Sequence, residues 1–247
     1  MIELYQFAFS HFCEKVRWAL DFKELRYATH NLLPGAHAEV ARRLASRSCL
    51  PILVDDGAVI QESAAILSFL DQKYPEHPLT PAEPAQARAA LEWEEFLDCE
   101  IGVTLRLWFY YHTLPDRARA LRFLLDAIPW YRRPAFVLAF PKVRARMSHA
   151  MGIGAESARA ASARLHAALT QLDHALRDSA FLVGDRFSRA DLAACALLSP
   201  ICRVGESDAE VSSVLAEPLS TMRPEHRTRR YFEWVTETYE KYRKPAN

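Results

Sequence analysis

The first thirty residues alternate between apolar runs of strand length and one helical stripe. Residues 2–7 (IELYQF) have the apolar and aromatic content of a buried strand. Residues 14–22 place Val16 and Leu20 on one face of a helix. Residues 26–31 predict a second strand, and because a helix intervenes, the two strands are expected to be parallel.

A second set of elements extends this unit. Residues 34–44 are weakly helical, and residues 50–54 and 58–61 are short apolar segments joined by an Asp-Gly pair, which is typical of a hairpin. Residues 63–74 carry an apolar stripe at helical spacing. The pattern predicts a βαβ unit followed by ββα, which is a small mixed α+β sheet with helices packed on it.

Prolines at intervals of three follow this unit and predict a linker. They stand at Pro75, Pro78, Pro81 and Pro84, and they favour extended chain over helix or central strand. Beyond them the chain is rich in Ala, Leu, Arg and Glu, with few strand signals. We therefore expect a first domain over residues 1–75, a linker over 76–84 and an all-helical domain over 85–247. The predicted helices span residues 85–111, 116–128, 133–147, 157–177, 189–199 and 229–242.

The composition argues against several classes of partner. Lys and Arg number 31 and Asp and Glu number 31, so neither nucleic acid nor an anionic membrane is expected to bind. No stretch approaches the ~20 apolar residues of a membrane span, and no leader pattern opens the chain, so a cytoplasmic location is expected. The 5 cysteines are scattered without a C-x-x-C pair, so we expect no metal site.

Two strand-to-helix junctions carry the candidate chemistry. Glu62-Ser63 ends the second predicted hairpin strand and opens a helix, whose free N-terminal amides are suited to an anion such as a carboxylate. Ser10-His11-Phe12-Cys13 forms the other junction. Either serine alone is more often a helix cap than a catalyst, and an X-Pro bond such as Leu50-Pro51 is usually trans. The order of these features, and not any one of them, indicates a site for a small anionic thiol.

A capping signal marks the head of a late apolar helix. Ser188 and Asp191 have the Ser-x-x-Asp spacing of a reciprocal capping box. We interpret the pair as structural, with the task of fixing where that helix starts.

Three segments together resemble the soluble glutathione transferase superfamily. They are YQFAFSHFCEKVRWAL from Tyr5, LPILVDDGAVIQESAAILSFL from Leu50, and FLVGDRFSRAD from Phe181. The resemblance implies a thioredoxin-like N-terminal domain followed by an all-α C-terminal domain. It is weakest between residues 111 and 156.

The resemblance assigns glutathione contacts to matching positions. It implies that Leu50, before a cis Pro51, pairs its backbone with the cysteinyl part of glutathione. Glu62 and Ser63 match the pair that holds the γ-glutamyl amine and carboxylate. Ser10 falls where serine-type and tau-like members carry the hydroxyl that bonds the glutathione sulfur.

The resemblance makes two further assignments, and the sequence departs from the family pattern at two positions close to Ser10. Phe12 falls where a Phe often follows the serine, and His37 lies in the region that supplies a basic contact to the glycyl carboxylate. His11 stands where many relatives have Pro, and a titrating imidazole there would make the site sensitive to pH. Cys13 occupies the second cysteine position of the ancestral C-x-x-C motif.

The helical half supplies the expected second-substrate pocket. Arg106, Phe109 and Tyr110 are predicted to line it, although at helical spacing the aromatic residues equally suit a core. Residues 113–141 form an unusually long middle segment that is expected to reshape or cover this pocket. Its helices are expected to break at Pro115, Pro129, Pro134 and Pro141.

The resemblance implies a glutathione transferase that forms a homodimer. Glutathione would be the co-substrate, without a metal, and its thiolate would attack an electrophilic carbon of an apolar partner. Two alternatives stay open. One is a thiol transferase in which Cys13 forms a mixed disulfide, and the other is a catalytically silent scaffold.

Overall fold

The computed structural model describes residues 1–125, 127–202 and 226–243, and its N-terminal part is built on one mixed sheet. The strand order is β2-β1-β3-β4, with β1 parallel to β2 and the other neighbours antiparallel. Leu4 of β1 is in register with Thr29 on one side and Leu53 on the other. This confirms the predicted mixed α+β sheet. The strands are β1 Ile2–Gln6, β2 Tyr27–Asn31, β3 Ile52–Asp55 and β4 Ala58–Gln61.

Three helices belong to this domain, and the first and the third bury a stripe of apolar side chains. They are α1 His11–Phe22, α2 His37–Leu44 and α3 Ser63–Lys73. Helix α1 begins three residues before the predicted start because Ser10 caps it. Helix α2 begins after the predicted start because Gly35 takes a φ of 90° just before it, a conformation outside the helical region.

The linker is bound to the N-terminal domain by two buried or half-buried side chains. The Lys23 ammonium donates to the carbonyl of Tyr74 at 2.8 Å and also contacts the carboxylate of Asp71 at 2.8 Å. Asp71 accepts hydrogen bonds from the N–H groups of Leu79 and Thr80. These bonds fix the direction in which the chain enters the helical half.

The described part of the helical half contains no strand. Its helices are α4 Pro84–Leu97, α5 Val103–Thr113, α6 Arg117–Leu124, α7 Arg133–Ala150, α8 Ala155–Ala175, α9 Arg189–Cys202 and α10 Arg230–Tyr242. The predicted helix over 85–111 is in fact two helices, α4 and α5, joined by a π-helical turn at Asp98–Gly102. Helix α9 is buried along most of its length and packs against α1, α4 and α10. Within the described residues, no helix is long and apolar enough to cross a bilayer.

The proline predictions for residues 113–141 hold only in part. Pro115 and Pro129 lie between helices, and Pro134 lies in the first turn of α7, where the missing N–H costs nothing. The predicted break at Pro141 is wrong, because α7 continues through it. Phe140 beside it is buried, and this anchoring on the core offsets the lost hydrogen bond of the exposed proline.

The Ser188–Asp191 pair fixes the start of α9, as predicted, and the Asp191 carboxylate accepts the hydrogen bonds. Asp191 accepts from the N–H and the hydroxyl of Ser188, each at 2.8 Å, and from the N–H of Leu182 at 2.8 Å. Burial raises the pKa of Asp191 to about 6. The pair therefore ties the preceding loop to the helix as well as capping it.

A buried ion-pair network joins the two domains. Lys15 of α1 contacts Glu94 of α4 at 2.6 Å and Asp98 at 2.7 Å. Arg189 of α9 contacts the other Glu94 oxygen at 2.5 Å and donates to the carbonyl of Ala64 in α3 at 3.0 Å. Lys15 is 0%, Glu94 1% and Arg189 2% exposed, so these charges have almost no water to compensate a lost partner. The network links the two helices that follow the candidate junctions to the helical domain.

We predict that Lys15→Met lowers the free energy of unfolding by about 3–5 kcal/mol, because it leaves buried carboxylates without their cation. The matched control is Arg43→Met, which breaks the exposed ion pair between Arg43 and Glu39. That control should cost less than about 1 kcal/mol. Urea unfolding of the three proteins measures both values, and equal losses would contradict the structural role of the network.

Candidate functional site

A cavity of about 1090 Å³ lies between the two domains. One wall comes from the loop after β1, the segment that leads into α2 and the loop before β3. The opposite wall comes from α5 and α7. Its size suits a peptide-like ligand together with a second small molecule.

Ser10 lies on the wall of this cavity, at the N-terminus of α1. Its hydroxyl oxygen accepts from the N–H of Cys13 at 3.4 Å, so its proton is directed elsewhere. Arg17 holds the preceding loop by donating to the Ala8 carbonyl at 3.1 Å and to Gln6 at 2.5 Å. The hydroxyl and the helix N-terminus together form a corner suited to a negatively charged atom.

Cys13 faces the protein interior. Its side chain is 0% exposed and does not reach the cavity wall, and burial raises the pKa of its thiol. A thiol in this setting is protonated at neutral pH and shielded from a bulky disulfide.

His11 and Phe12 do not behave as the sequence predicted. Burial, with the charge of Arg106, lowers the pKa of His11 to about 3, so the expected pH sensitivity near neutrality is wrong. Phe12 is not on the cavity wall but packs on Gly102, where an added Cβ would lie 2.6 Å from its ring and 3.0 Å from Leu197. Phe12 is therefore a contact between the domains.

The Leu50-Pro51 peptide bond is cis, and Leu50 lines the cavity. Gln61, at the end of β4, holds the loop before it by donating to the carbonyls of Arg47 and Cys49, each at 2.8 Å. No sequence pattern indicates this role of Gln61, because its bonds reach residues more than ten positions away along the chain.

Glu62 and Ser63 stand at the start of α3, outside the cavity lining itself. The Glu62 N–H donates to the Pro51 carbonyl at 3.3 Å, which ties this helix start to the Leu50-Pro51 loop. Glu62 has a φ of 80°, and its half-exposed carboxylate pairs with Arg47. Ser63 is buried, and no side chain caps the helix in the described structure. The first amides of α3 are therefore suited to an anionic ligand.

His37 lies on the cavity wall as the first residue of α2. Its Nδ1 accepts from the Gly35 N–H at 3.0 Å, and burial lowers its pKa, so the ring is neutral near pH 7. It is therefore not the cationic contact that was expected. The cation of this segment is Arg42, also on the wall, which the sequence reasoning missed.

The residues predicted for the second-substrate pocket all line the cavity. Arg106, Phe109 and Tyr110 project from α5. The Phe123 ring, from α6, lies 4.8 Å from Phe109 and 4.7 Å from Phe9, centroid to centroid, and makes an aromatic surface across the domains. Burial raises the pKa of Tyr110.

Helix α7, which corresponds to the predicted helix over 133–147, forms one wall of the cavity. Val143 of α7 packs on Gly35, where an added Cβ would lie 3.3 Å from its methyl group. Residues of one α7 face, among them Phe136 and Met147, line the cavity. Of the segment 113–141, which was expected to reshape or cover the pocket, the described lining residues are Phe123, Arg132, Ala135, Phe136 and Ala139.

Two family models match the chain. Residues 4–78 match the glutathione S-transferase N-terminal domain, and residues 132–213 match the glutathione S-transferase C-terminal domain. Together they cover more than half of the chain.

Curated relatives match over parts of the chain of different length. Glutathione S-transferase Z2 of Arabidopsis thaliana is 38% identical over 85 residues, which is 33% of this chain and 38% of that protein. A probable glutathione S-transferase of Nicotiana tabacum is 23% identical over 196 residues, which is 78% of this chain and 68% of that protein. The chain thus spans well under half the length of the first curated relatives that it matches.

Solved structures share the fold over nearly the whole length. A glutathione S-transferase of Ceriporiopsis subvermispora in complex with glutathione has a TM-score of 0.67 at 19% identity, over 98% of this chain and 97% of that one. One of Methylobacterium radiotolerans in complex with glutathione sulfonate has a TM-score of 0.59 at 23% identity, over 94% of this chain and 92% of that one. With both domain models matched in order, this chain belongs to the glutathione transferase superfamily.

Proposed function

We propose that this chain is a glutathione transferase that joins the glutathione sulfur to an electrophilic carbon. The observation that carries the proposal is the Ser10 hydroxyl, which lies on the cavity wall at the start of α1 while Cys13 is buried away from it. Of the two candidate residues at this helix start, the hydrogen-bond donor faces the cavity and the thiol does not.

Activation of the thiol follows from this geometry. A thiol has an unperturbed pKa near 8.5 and attacks only as the thiolate. A hydrogen bond from Ser10, together with the N-terminus of α1, stabilises the thiolate and lowers that pKa. The sulfur then donates its electron pair to the carbon, and the leaving group departs with the electrons of the broken bond.

The rest of glutathione is placed by matching its groups to the described contacts. The uncapped N-terminus of α3, with Ser63, suits the γ-glutamyl carboxylate, and the Glu62 carboxylate suits the γ-glutamyl amine. The Leu50 backbone would pair with the cysteinyl residue. His37, as a neutral donor, and Arg42 would receive the glycyl carboxylate at the other end.

The two alternatives differ in what they require. A thiol transferase needs Cys13 to reach a disulfide, and the full burial of that thiol weighs against it. A silent scaffold needs no thiol chemistry at all, and it is tested by ligand binding.

We predict that Ser10→Ala lowers transfer to an aryl halide near neutral pH by at least about tenfold. Loss of a charged hydrogen bond costs about 1.5–3 kcal/mol, which raises the pKa of the bound thiol by one to two units. The rate should partly recover at higher pH, where the thiolate forms unaided. Initial rates across a pH series measure this.

Cys13→Ser is the matched control, and it should keep most of that activity. A reversal, in which Cys13→Ser abolishes reduction of a mixed disulfide and Ser10→Ala has little effect, would establish the thiol transferase instead. Thermal unfolding with glutathione tests the scaffold, since ligand at about 100 times its dissociation constant stabilises the fold by about 2.7 kcal/mol. An unfolding midpoint that glutathione does not raise would favour the silent scaffold.

We predict that His11 makes the protein less stable in acid. The folded-state pKa is about 3, well below the ordinary 6.5, so below pH 6.5 the unfolded chain takes up a proton that the folded protein does not. Between about pH 7.5 and about pH 5, wild type should lose about 2 kcal/mol more than His11→Gln. Urea unfolding at both pH values measures the difference. The control is His149→Gln, at an exposed position of α7. Equal losses in wild type and His11→Gln would show that His11 titrates normally.

We also propose a two-fold homodimer, in which each N-terminal domain meets the helical domain of its partner. Exposed apolar side chains on both domains support this surface, namely Val59 of β4, Leu91 of α4 and Val103 of α5, which are 41%, 43% and 38% exposed. Closed two-fold symmetry is also the commonest oligomeric state. The expected cytoplasmic location stays a prediction.

We predict that light scattering at micromolar concentration gives twice the 28.1 kDa mass of one chain. Leu91→Glu should shift the protein towards the monomer, because it buries an unpaired charge at the interface. Leu138→Glu, at an 83% exposed position on α7, is the control and should leave the mass unchanged. A wild-type protein with the mass of one chain would contradict the proposed dimer.

A further inference from the structure

The charged side chains that line the cavity all carry one sign. Among the described residues that form its wall, the charged ones are all cationic and no Asp or Glu is present; they are Arg42, Arg106, Arg132, Lys142 and Arg146. The chain as a whole has no net charge, so this is a local concentration of positive charge. Such a cavity attracts anions and rejects cations.

These cations also differ from surface cations elsewhere in the protein. Exposed arginines such as Arg43 and Arg164 form ion pairs with carboxylates at 2.5 and 2.6 Å. Within the described residues, no carboxylate pairs with Arg106, Lys142 or Arg146. Their charge is therefore available to a ligand.

Arg106 lies deepest of this set, at the domain junction. It is half-buried, and its guanidinium lies 5.4 Å from the centroid of the Phe12 ring. Burial and, after it, the positive charge of Arg106 lower the pKa of His11, the residue that follows Ser10 on the cavity wall. A half-buried cation in such a place is suited to one specific anionic group.

Three of the other cations lie on the side of the cavity that α7 forms. Lys142 and Arg146 belong to α7, Arg132 directly precedes it, and Ala135 and Ala139 line the cavity between Arg132 and Lys142. The small alanines leave room for a ligand, and the three cations are exposed to solvent. They increase the local concentration of anions before one reaches Arg106.

The aromatic side chains of the cavity indicate what the uncharged part of the ligand is like. The Phe123 ring is tilted against the rings of Phe9 and Phe109, with centroids 4.7 and 4.8 Å apart, and this surface suits a flat apolar molecule better than an extended polar one. The cavity therefore combines an apolar surface with a cationic one.

We propose that the second substrate is an aromatic electrophile that carries a carboxylate or sulfonate, and that Arg106 binds this anion. That it is a substrate rests on the proposed function. Glutathione does not account for Arg106, because its two carboxylates are assigned to the start of α3 and to the segment of His37 and Arg42. Arg106 is thus a specificity-determining residue.

The experiment compares chloronitrobenzoate with chloronitrobenzamide, which differ only in the carboxylate. In both, the thiolate sulfur bonds to the ring carbon, the carbon–chlorine bond breaks and chloride leaves. Each kcat/KM is divided by the uncatalysed rate with glutathione, which removes the difference in intrinsic reactivity. Wild type should prefer the benzoate.

Substitutions then locate the preference. Arg106→Gln should lower the benzoate-to-benzamide ratio about 10- to 100-fold, the change expected for loss of a charged hydrogen bond. Arg106→Lys should retain most of it, and the exposed double variant Lys142→Gln with Arg146→Gln should reduce it by a smaller factor. Arg144→Gln, an exposed position of α7 outside the cavity wall, is the matched control and should leave the ratio unchanged.

Other outcomes overturn the inference in distinct ways. If Arg106→Gln lowers both rates equally and keeps the ratio, Arg106 stabilises the thiolate and does not select the anion. If wild type turns over both substrates without preference, this inference fails and the proposed function stands.

Binding of dyes separates the anion site from catalysis. Anilinonaphthalene sulfonate and the neutral phenylnaphthylamine share their aromatic body, and fluorescence titration gives both affinities. Inactivity on both chlorides, with a sulfonate preference that Arg106→Gln removes, would refute the proposed function and leave the anion site in place. Inactivity without that preference would refute both.

Discussion

The shared carboxylate of Glu94 is the constraint on which the site depends. It is buried, and it receives Lys15 from α1 on one oxygen and Arg189 from α9 on the other. Lys15 lies in the second turn of the helix that Ser10 begins, and Arg189 holds the Ala64 carbonyl directly after Ser63. The two helix starts that frame the proposed glutathione site are thus fixed from behind by one acidic side chain.

A buried ion network of this kind contributes little net stability, because removing the charges from water is costly. Its value lies in geometry. The charges meet where α1, α4 and α9 pack together, and Phe12 packs closely on Gly102 at the same junction between the domains. A cavity whose walls come from different domains keeps its shape for the same reason.

The sequence predicted the parts that local chemistry determines. The sheet, the cap at Ser10 and the start of α3 follow from apolar spacing and turn residues within short windows. The π turn and the continuity of α7 through Pro141 were missed, because tertiary packing overrides the local preference there. The predictions that His11 titrates near neutral pH and that Phe12 lies at the site were wrong for a related reason. Both residues contact groups at positions 102 to 106, which are far along the chain. The cations on the α7 side of the cavity were missed because the sequence does not show which face of α7 meets the N-terminal domain. The contact between Val143 and Gly35 determines that face.

The π turn at Asp98–Gly102 sets the orientation of α5. The Val103 N–H donates to the Asp98 carbonyl, five residues back, so the turn contains one residue more than an α-helix would. One residue corresponds to roughly 100° of rotation about a helix axis. Loss of that residue would straighten the junction and turn Arg106, Phe109 and Tyr110 away from the cavity without changing any of them. Insertions and deletions in this turn are therefore a route by which the lining of the pocket changes in evolution while the helix sequence stays the same.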